Sequence, residues 1–314
     1  MNYLKDYREG EKFVGTYLCK QKQILKTKAG KTYYSLTLQD KTGTADGKIW
    51  ELNNGIANFE PMDYIHCEGM VTSFQGNLQM NISRVRISDE GEYDPTDYVP
   101  CTNKDVGEMF SRILKYVASV QNKYLRKILE MYFVENKEFV DAFKKHSAAK
   151  SVHHGFMGGL LEHTLSVTDM CQYFAEHYPM IHRDLLITAA LFHDMGKIQE
   201  ISDFPQNDYT DDGQLLGHIY IGAKAMEEAA AKVPGFPAKL KNELVHCILA
   251  HHGKMEYGSP KVPAIMEAMA LHMADNADAK LQTLTEIFTQ AGDNMAWLGF
   301  NRMFESNLRR TSND

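Results

Sequence analysis

Thirteen histidines occur in the chain, and eleven of them lie between His153 and His272. Several stand beside carboxylates or at the ends of apolar, helix-like stretches. Segment 185–197, LLITAALFHDMGK, closes an apolar pattern with adjacent His193 and Asp194, followed by Met195, Gly196 and Lys197. Neighbours on a helix project about 100° apart, so the pair can hold one ion from two sides. Gly196 reads as a chain reversal that returns the Lys197 ammonium to the same point. His163 lies in LLEHTL, His218 follows Gly217 at the start of another stretch, and LVHCILAHHG ends in His251 and His252. Asp275, in LHMAD, is an acid in an otherwise apolar helical pattern. A single imidazole on an apolar face is usually a core group with its hydrogen bonds met. Six inward groups of imidazole and carboxylate together make a ligand set for a transition metal.

The chemistry this implies is metal-assisted phosphoester hydrolysis. Two divalent ions about 3.5–4 Å apart clamp phosphate oxygens and lower the pKa of water. Imidazole-rich ligation favours Mn, Co, Fe or Zn over Mg and Ca, which prefer oxygen; two ions are expected, Mn first. Other chemistries find no support. The stretch HHGFMGG does not fit a phosphate-binding GxxxxGK[ST] loop. The five cysteines are scattered and form no CxxC pair, which argues against a disulfide framework and fits a reducing, cytoplasmic setting. Cys247 adjoins His246, but helix neighbours do not face each other.

In their order, these residues resemble the HD-domain metal-dependent phosphohydrolases, whose signature is His, then His-Asp, then Asp. Here it reads His163, His193-Asp194, Asp275, over roughly residues 150–290. The resemblance implies one metal held by His163, His193, Asp194 and Asp275. It implies a second held by Asp194 as a bridge with His218 and His251, His252 being an alternative ligand. Lys197, in HDMGK, matches the family residue that faces substrate phosphate. His252 is also a candidate proton donor to the leaving oxygen, so Asp194, Lys197 and His252 form the expected catalytic group. His153 and His154 precede the first motif without a role assigned.

The chain has 314 residues, 44% hydrophobic and 24% charged, which fits about two globular domains. Its charge of −7 is uneven: residues 1–90 carry +1 and residues 151–314 carry −9. The N-terminus, MNYLKDYREGEK, is too charged for a signal peptide. The longest mainly apolar run, 185–192, is far short of the ~20 residues of a membrane span, so no membrane partner is expected. Residues 10–90 alternate like strands at 12–19, 32–39, 48–52, 64–71 and 77–87, with turn residues between them. SLTLQDKTGTADGKIW, 35–50, resembles the hairpin of an OB-fold, a five-stranded barrel that often holds single-stranded nucleic acid. Five lysines and no acid lie between Lys20 and Lys31: Lys20, Lys22, Lys26, Lys28 and Lys31. Such a strip tracks a phosphate backbone or simply guards a solvated edge. Tyr33, Trp50 and Phe74 are candidate base-stacking groups; Tyr34, next to Tyr33, must face the other way. After a linker at 91–103, Thr102 reads as the cap of a helix beginning the helical remainder.

The fold class expected is α+β multidomain, a small N-terminal OB-like barrel followed by an all-α HD domain. The boundaries are 1–90, 91–148 for the linker and connecting helices, and 149–314. That combination resembles the YhaM family of 3′→5′ exoribonucleases over nearly the whole chain. The resemblance implies hydrolysis of single-stranded RNA, with single-stranded DNA a further substrate, to mononucleotides. Two alternatives stand beside it: an HD phosphohydrolase of nucleotides or cyclic dinucleotides with a regulatory N-terminal domain, and a non-catalytic single-strand-binding accessory protein. Apolar residues between Phe288 and Phe304 are either core or a surface for a homo-oligomer.

Overall fold

A computed structural model describes residues 2–150 and 154–312; His153 lies outside the described residues. The chain divides into two compact units, Met1–Cys101 with Asp203–Gln206, and Thr102–Ser202 with Asn207–Asp314.

The first unit is a closed barrel of five strands: β1 (Lys12–Lys26), β2 (Thr32–Asp40), β3 (Gly43–Ile49), β4 (Tyr64–Phe74) and β5 (Asn77–Ile87), in the order β1-β2-β3-β5-β4. Strand alternation supplies the core: Phe13, Tyr17, Leu36, Leu38, Ile49, Ile65 and Val71 point inward and are buried. β1 serves two partners, pairing with β4 through Lys12–Leu18 and with β2 through Leu18–Lys26. An irregularity between Cys19 and Gln21 bends it between them, as bulges do. β3 pairs antiparallel with β2 and parallel with β5, which closes the wall. The third strand therefore runs 43–49 rather than 48–52. Asp40 accepts from the Thr42 amide at 2.7 Å, making the turn tight, and the small, polar GTADG pairs at once with β2. Its ladder partners decide the assignment, not its own weak strand propensity.

The second unit is helical. Its first helix, α1 (Val106–Ser119), is capped by Asp105, whose carboxylate accepts from the Glu108 amide at 2.7 Å. Thr102, expected as the cap, instead bonds the Glu162 carboxylate. There follow α2 (Lys123–Phe133), α3 (Lys137–Lys145), α4 (Gly159–His177), α5 (Arg183–Phe192), α6 (Lys197–Glu200), α7 (Asp211–Leu215), α8 (Gly217–Ala231), α9 (Ala238–Ala250) and α10 (Met266–Gln290). A short hairpin of β6 (Phe300–Asn301) and β7 (Ser306–Asn307) comes after them. α5 is the central helix, buried along its whole apolar run from Leu185 to Phe192, and packs against α4, α9 and α10. Each of those carries a histidine or aspartate of the expected set, so the core packing itself brings the set together. Trp297, Phe300 and Met303 are exposed and are not core. Among the described residues no helix is long and apolar enough to cross a membrane.

Candidate metal centre

All six expected ligands meet in the helical unit. His163 comes from the interior of α4, His193 and Asp194 from the end of α5, His218 from the second position of α8, His251 from the end of α9 and Asp275 from α10. Asp194 lies at the middle. Its Oδ2 is 3.3 Å from His163 Nε2 and 3.4 Å from His193 Nε2. Its Oδ1 is 3.5 Å from His218 Nε2 and 3.6 Å from His251 Nε2. Asp275 Oδ1 adds to the first side, 3.2 Å from His163 Nε2. His252 adds to the second, its ring centroid 5.2 Å from that of His218 and 4.4 Å from that of His251. One carboxylate oxygen thus faces each group of rings.

From the sequence, Gly196 is expected to reverse the chain. Its φ is −64°, an ordinary helical value. The glycine is needed for closeness instead: a Cβ there would lie 2.2 Å from the His218 carbonyl oxygen. The bare backbone lets α8 approach the end of α5 and bring His218 to Asp194.

The donor set fits divalent cations. The Nδ1 of His193 donates to the Ala190 carbonyl at 2.8 Å, and that of His251 to the Ile248 carbonyl at 2.7 Å. The Nδ1 of His218 faces Glu200 Oε1 at 2.9 Å, and that of His163 faces Asp278 Oδ2 at 2.7 Å. Carbonyls and ionised carboxylates only accept, so Nδ1 is the protonated nitrogen of each ring and Nε2 is turned toward Asp194. Asp194 Oδ1, His218 Nε2 and His251 Nε2 are buried with no hydrogen-bond partner. Each such orphan costs about 1–3 kcal/mol, a cost a cation among them removes. Among the described residues, three groups of ligand atoms could hold an ion: His163, His193 and Asp275; His218, His251 and His252; and His154, His163 and Asp278.

The electrostatics agree. Burial opposes charge on His163, but Asp194, Asp275 and Asp278 outweigh it and raise its pKa well above the usual imidazole range. The field that holds that proton also attracts a metal ion. Burial works against the Asp194 charge too, yet Lys197 and the histidines keep its carboxyl well below the usual range. Lys197 Nζ lies 2.7 Å from Asp194 Oδ2. Burial, reinforced by His251, lowers His252 to about 4, so that ring is neutral at pH 7. Its Nδ1 donates to the Tyr257 carbonyl at 2.9 Å. Glu200, Asp278 and His154 are site groups whose roles the structure adds to the expected set. Their one signal is spacing: Asp278 stands three residues after Asp275 and Glu200 three after Lys197, each one helical turn further on.

On the barrel, Tyr33 stacks on Trp50 with centroids 4.6 Å apart, while Tyr34 faces the other way, edge-on to Phe59. The Trp50 indole donates to Asn81 at 3.0 Å. Trp50 and Phe74 are exposed, as are Lys20, Lys26, Lys28 and Lys31. Lys31 pairs with Glu51 at 3.3 Å. Lys22 differs: its ammonium donates to the Phe59 carbonyl at 2.5 Å and lies over the Tyr34 and Phe59 rings.

Residues 160–280 match the HD domain family. The 3′-5′ exoribonuclease YhaM of Shouchella clausii is 32% identical over 90% of this chain and 88% of its own. The YhaM of Bacillus subtilis is 32% identical over 81% of both. The chain belongs to the YhaM family. Among solved structures, the second OB-fold domain of replication protein A from Methanococcus maripaludis aligns with 29% of this YhaM-family chain and 98% of its own, at 20% identity and a TM-score of 0.24. The HD match spans Asp194 and the five residues gathered around it in this YhaM-family chain.

Proposed function

We propose that this chain is a cytoplasmic 3′→5′ exoribonuclease that hydrolyses single-stranded RNA, with single-stranded DNA a further substrate, to mononucleotides at a dinuclear centre working with Mn. The observation that carries the reading is Asp194, whose two oxygens each face a separate pair of imidazole nitrogens in a family of 3′-5′ exoribonucleases. Asp194 would be shared between the two ions, with His163, His193 and Asp275 holding one and His218 and His251 the other. Divalent ions there would polarise the phosphoryl oxygens and lower the pKa of the attacking water. The residues around them prepare that chemistry. Burial strengthens every charge interaction in the site. Lys197, fixed beside Asp194, offsets negative charge that grows on the phosphoryl group. His252, neutral at pH 7, suits a third ligand on the His218 side better than a proton donor.

The division of labour follows the charge. Residues 151–314 carry −9 and repel a polyanion away from the centre. Binding of the strand then falls to the barrel, residues 1–90, with Lys20, Lys26, Lys28 and Lys31 along the backbone and Tyr33, Trp50 and Phe74 against the bases. Lys22 supports the platform from behind through Tyr34. The exposed Trp297, Phe300 and Met303 suit a homo-oligomer contact, which light scattering would read as a multiple of the 35.7 kDa chain mass.

The test is a time course on 5′-labelled single-stranded RNA with Mn, beside Asp194→Ala. The expected result is a ladder that shortens from the 3′ end and is absent in the variant. Internal cleavage bands, or a ladder that survives in Asp194→Ala, would contradict the assignment. No cleavage with Mn, Co, Fe or Zn would transfer the same centre to a nucleotide or cyclic-dinucleotide substrate.

A further inference from the structure

The four ring ligands are held in two different ways. His193 and His251 each follow the last residue of a helix, where carbonyls have no partner within the helix. Each ring bonds the carbonyl three residues back, Ala190 and Ile248. His163 and His218 lack that option. His163 lies inside α4, where the carbonyls are already used, and His218 is the second residue of α8. Both take a carboxylate from a different helix. Asp278 of α10 accepts from His163 Nδ1 at 2.7 Å. Glu200 of α6 accepts from His218 Nδ1 and from the His218 amide, both at 2.9 Å.

The two carboxylates are themselves fixed. Asp278 Oδ2 also accepts from His154 Nε2 at 3.0 Å, and its Oδ1 accepts from the Ser166 hydroxyl. His154 is buried and holds a left-handed backbone, φ 59°, an unusual conformation for a residue other than glycine. Glu200 Oε1 closes the start of α8, where backbone N–H groups favour negative charge. A carboxylate on the far nitrogen fixes a ring's tautomer and orientation and makes its free nitrogen a stronger donor.

We propose that Asp278 and Glu200 are positioning residues, one for each metal: Asp278 sets the affinity of the site that contains His163, and Glu200 that of the site that contains His218. The assignment rests on the dinuclear reading above. It gives the two sites separate controls, one through α10 with His154 and Ser166, the other through α6.

The test is Mn titration of the metal-free full-length protein by calorimetry, without RNA, so that the readout is binding and not turnover. Wild type is expected to bind two ions. Asp278→Ala is expected to weaken one class of site by roughly 10- to 100-fold and Glu200→Ala the other by a similar factor. A second readout is the nitrogen-15 spectrum of histidine-labelled, zinc-loaded protein. It should show His163 and His218 as Nδ1–H tautomers in wild type, with His163 perturbed only in Asp278→Ala and His218 only in Glu200→Ala. Where an alanine variant does not fold, the isosteric Asp278→Asn and Glu200→Gln carry the test. Their amide oxygens still accept from Nδ1 but the charge is gone, and a smaller loss, several-fold, is expected. A lower melting temperature with unchanged Mn affinity and unchanged tautomers would overturn the proposal by making the two residues structural only. A wild type that binds one ion removes the dinuclear reading separately. In that case an Asp278→Ala that still weakens the ion upholds its positioning role, and one that does not overturns it.

Discussion

His163 offers an ion the same Nε2 atom that Asp194 and Asp275 keep protonated without one. Its pKa in the metal-free folded protein lies well above the usual value, whereas the unfolded chain titrates near about 6.5. Below that pH both states hold the proton, and its stabilising contribution is fully present. As pH rises through the folded value, the contribution is lost. The melting temperature of metal-free protein should therefore fall as pH rises above about 6.5. Mn affinity should rise over the same window, because the ion replaces a proton. Melting that is flat with pH, together with pH-independent Mn affinity, would contradict this account of His163. Asp194 and the five residues around it were legible in the sequence because imidazoles and acids at helix ends, in that order, are an uncommon combination. Asp278 and Glu200 were not. In sequence they are carboxylates on helices, indistinguishable from solvated ones until α10 and α6 are seen to pack their acids against His163 and His218.

Helix packing around Asp194 depends on one missing methyl group. A Cβ at Gly196 would meet the His218 carbonyl at 2.2 Å and the Gly222 amide at 2.9 Å, both backbone atoms that move only with α8. Gly196→Ala is expected to cost about 1–3 kcal/mol in overpacking and to weaken the His218 site, read as a lower melting temperature and reduced Mn affinity. An alanine variant with wild-type affinity would show that α8 has room to yield. Most elements were visible from alternation and helical spacing. Those displaced share a cause: local propensity was weaker than pairing or capping made elsewhere. β3 takes its bounds from β2 and β5, and α1 takes its start from Asp105, which accepts from the Glu108 amide, while Thr102 bonds Glu162 and the Lys104 amide.

At the scale of the whole chain, a barrel and a helical unit carry different charges. The two-part architecture was legible because strand alternation gives way to helical spacing at the 91–103 linker. The use of each barrel side chain was less so: Lys22 looks like its neighbours in sequence, yet only the fold turns it toward Phe59. Trp50→Ala, which removes the ring stacked on Tyr33, should raise KM on RNA by roughly 5- to 100-fold, the equivalent of one lost base stack. Turnover of a small phosphodiester should be unchanged. KM on RNA should also rise steeply with salt; equal effects on both substrates would place RNA binding outside the barrel. Whether Asp194 joins two ions into one hydrolytic centre is decided by adding Mn stepwise to metal-free protein and following the release of 3′-terminal nucleotides. Little release is expected up to one equivalent, with full activity on filling the second site. Full activity at a single equivalent would contradict a two-ion centre.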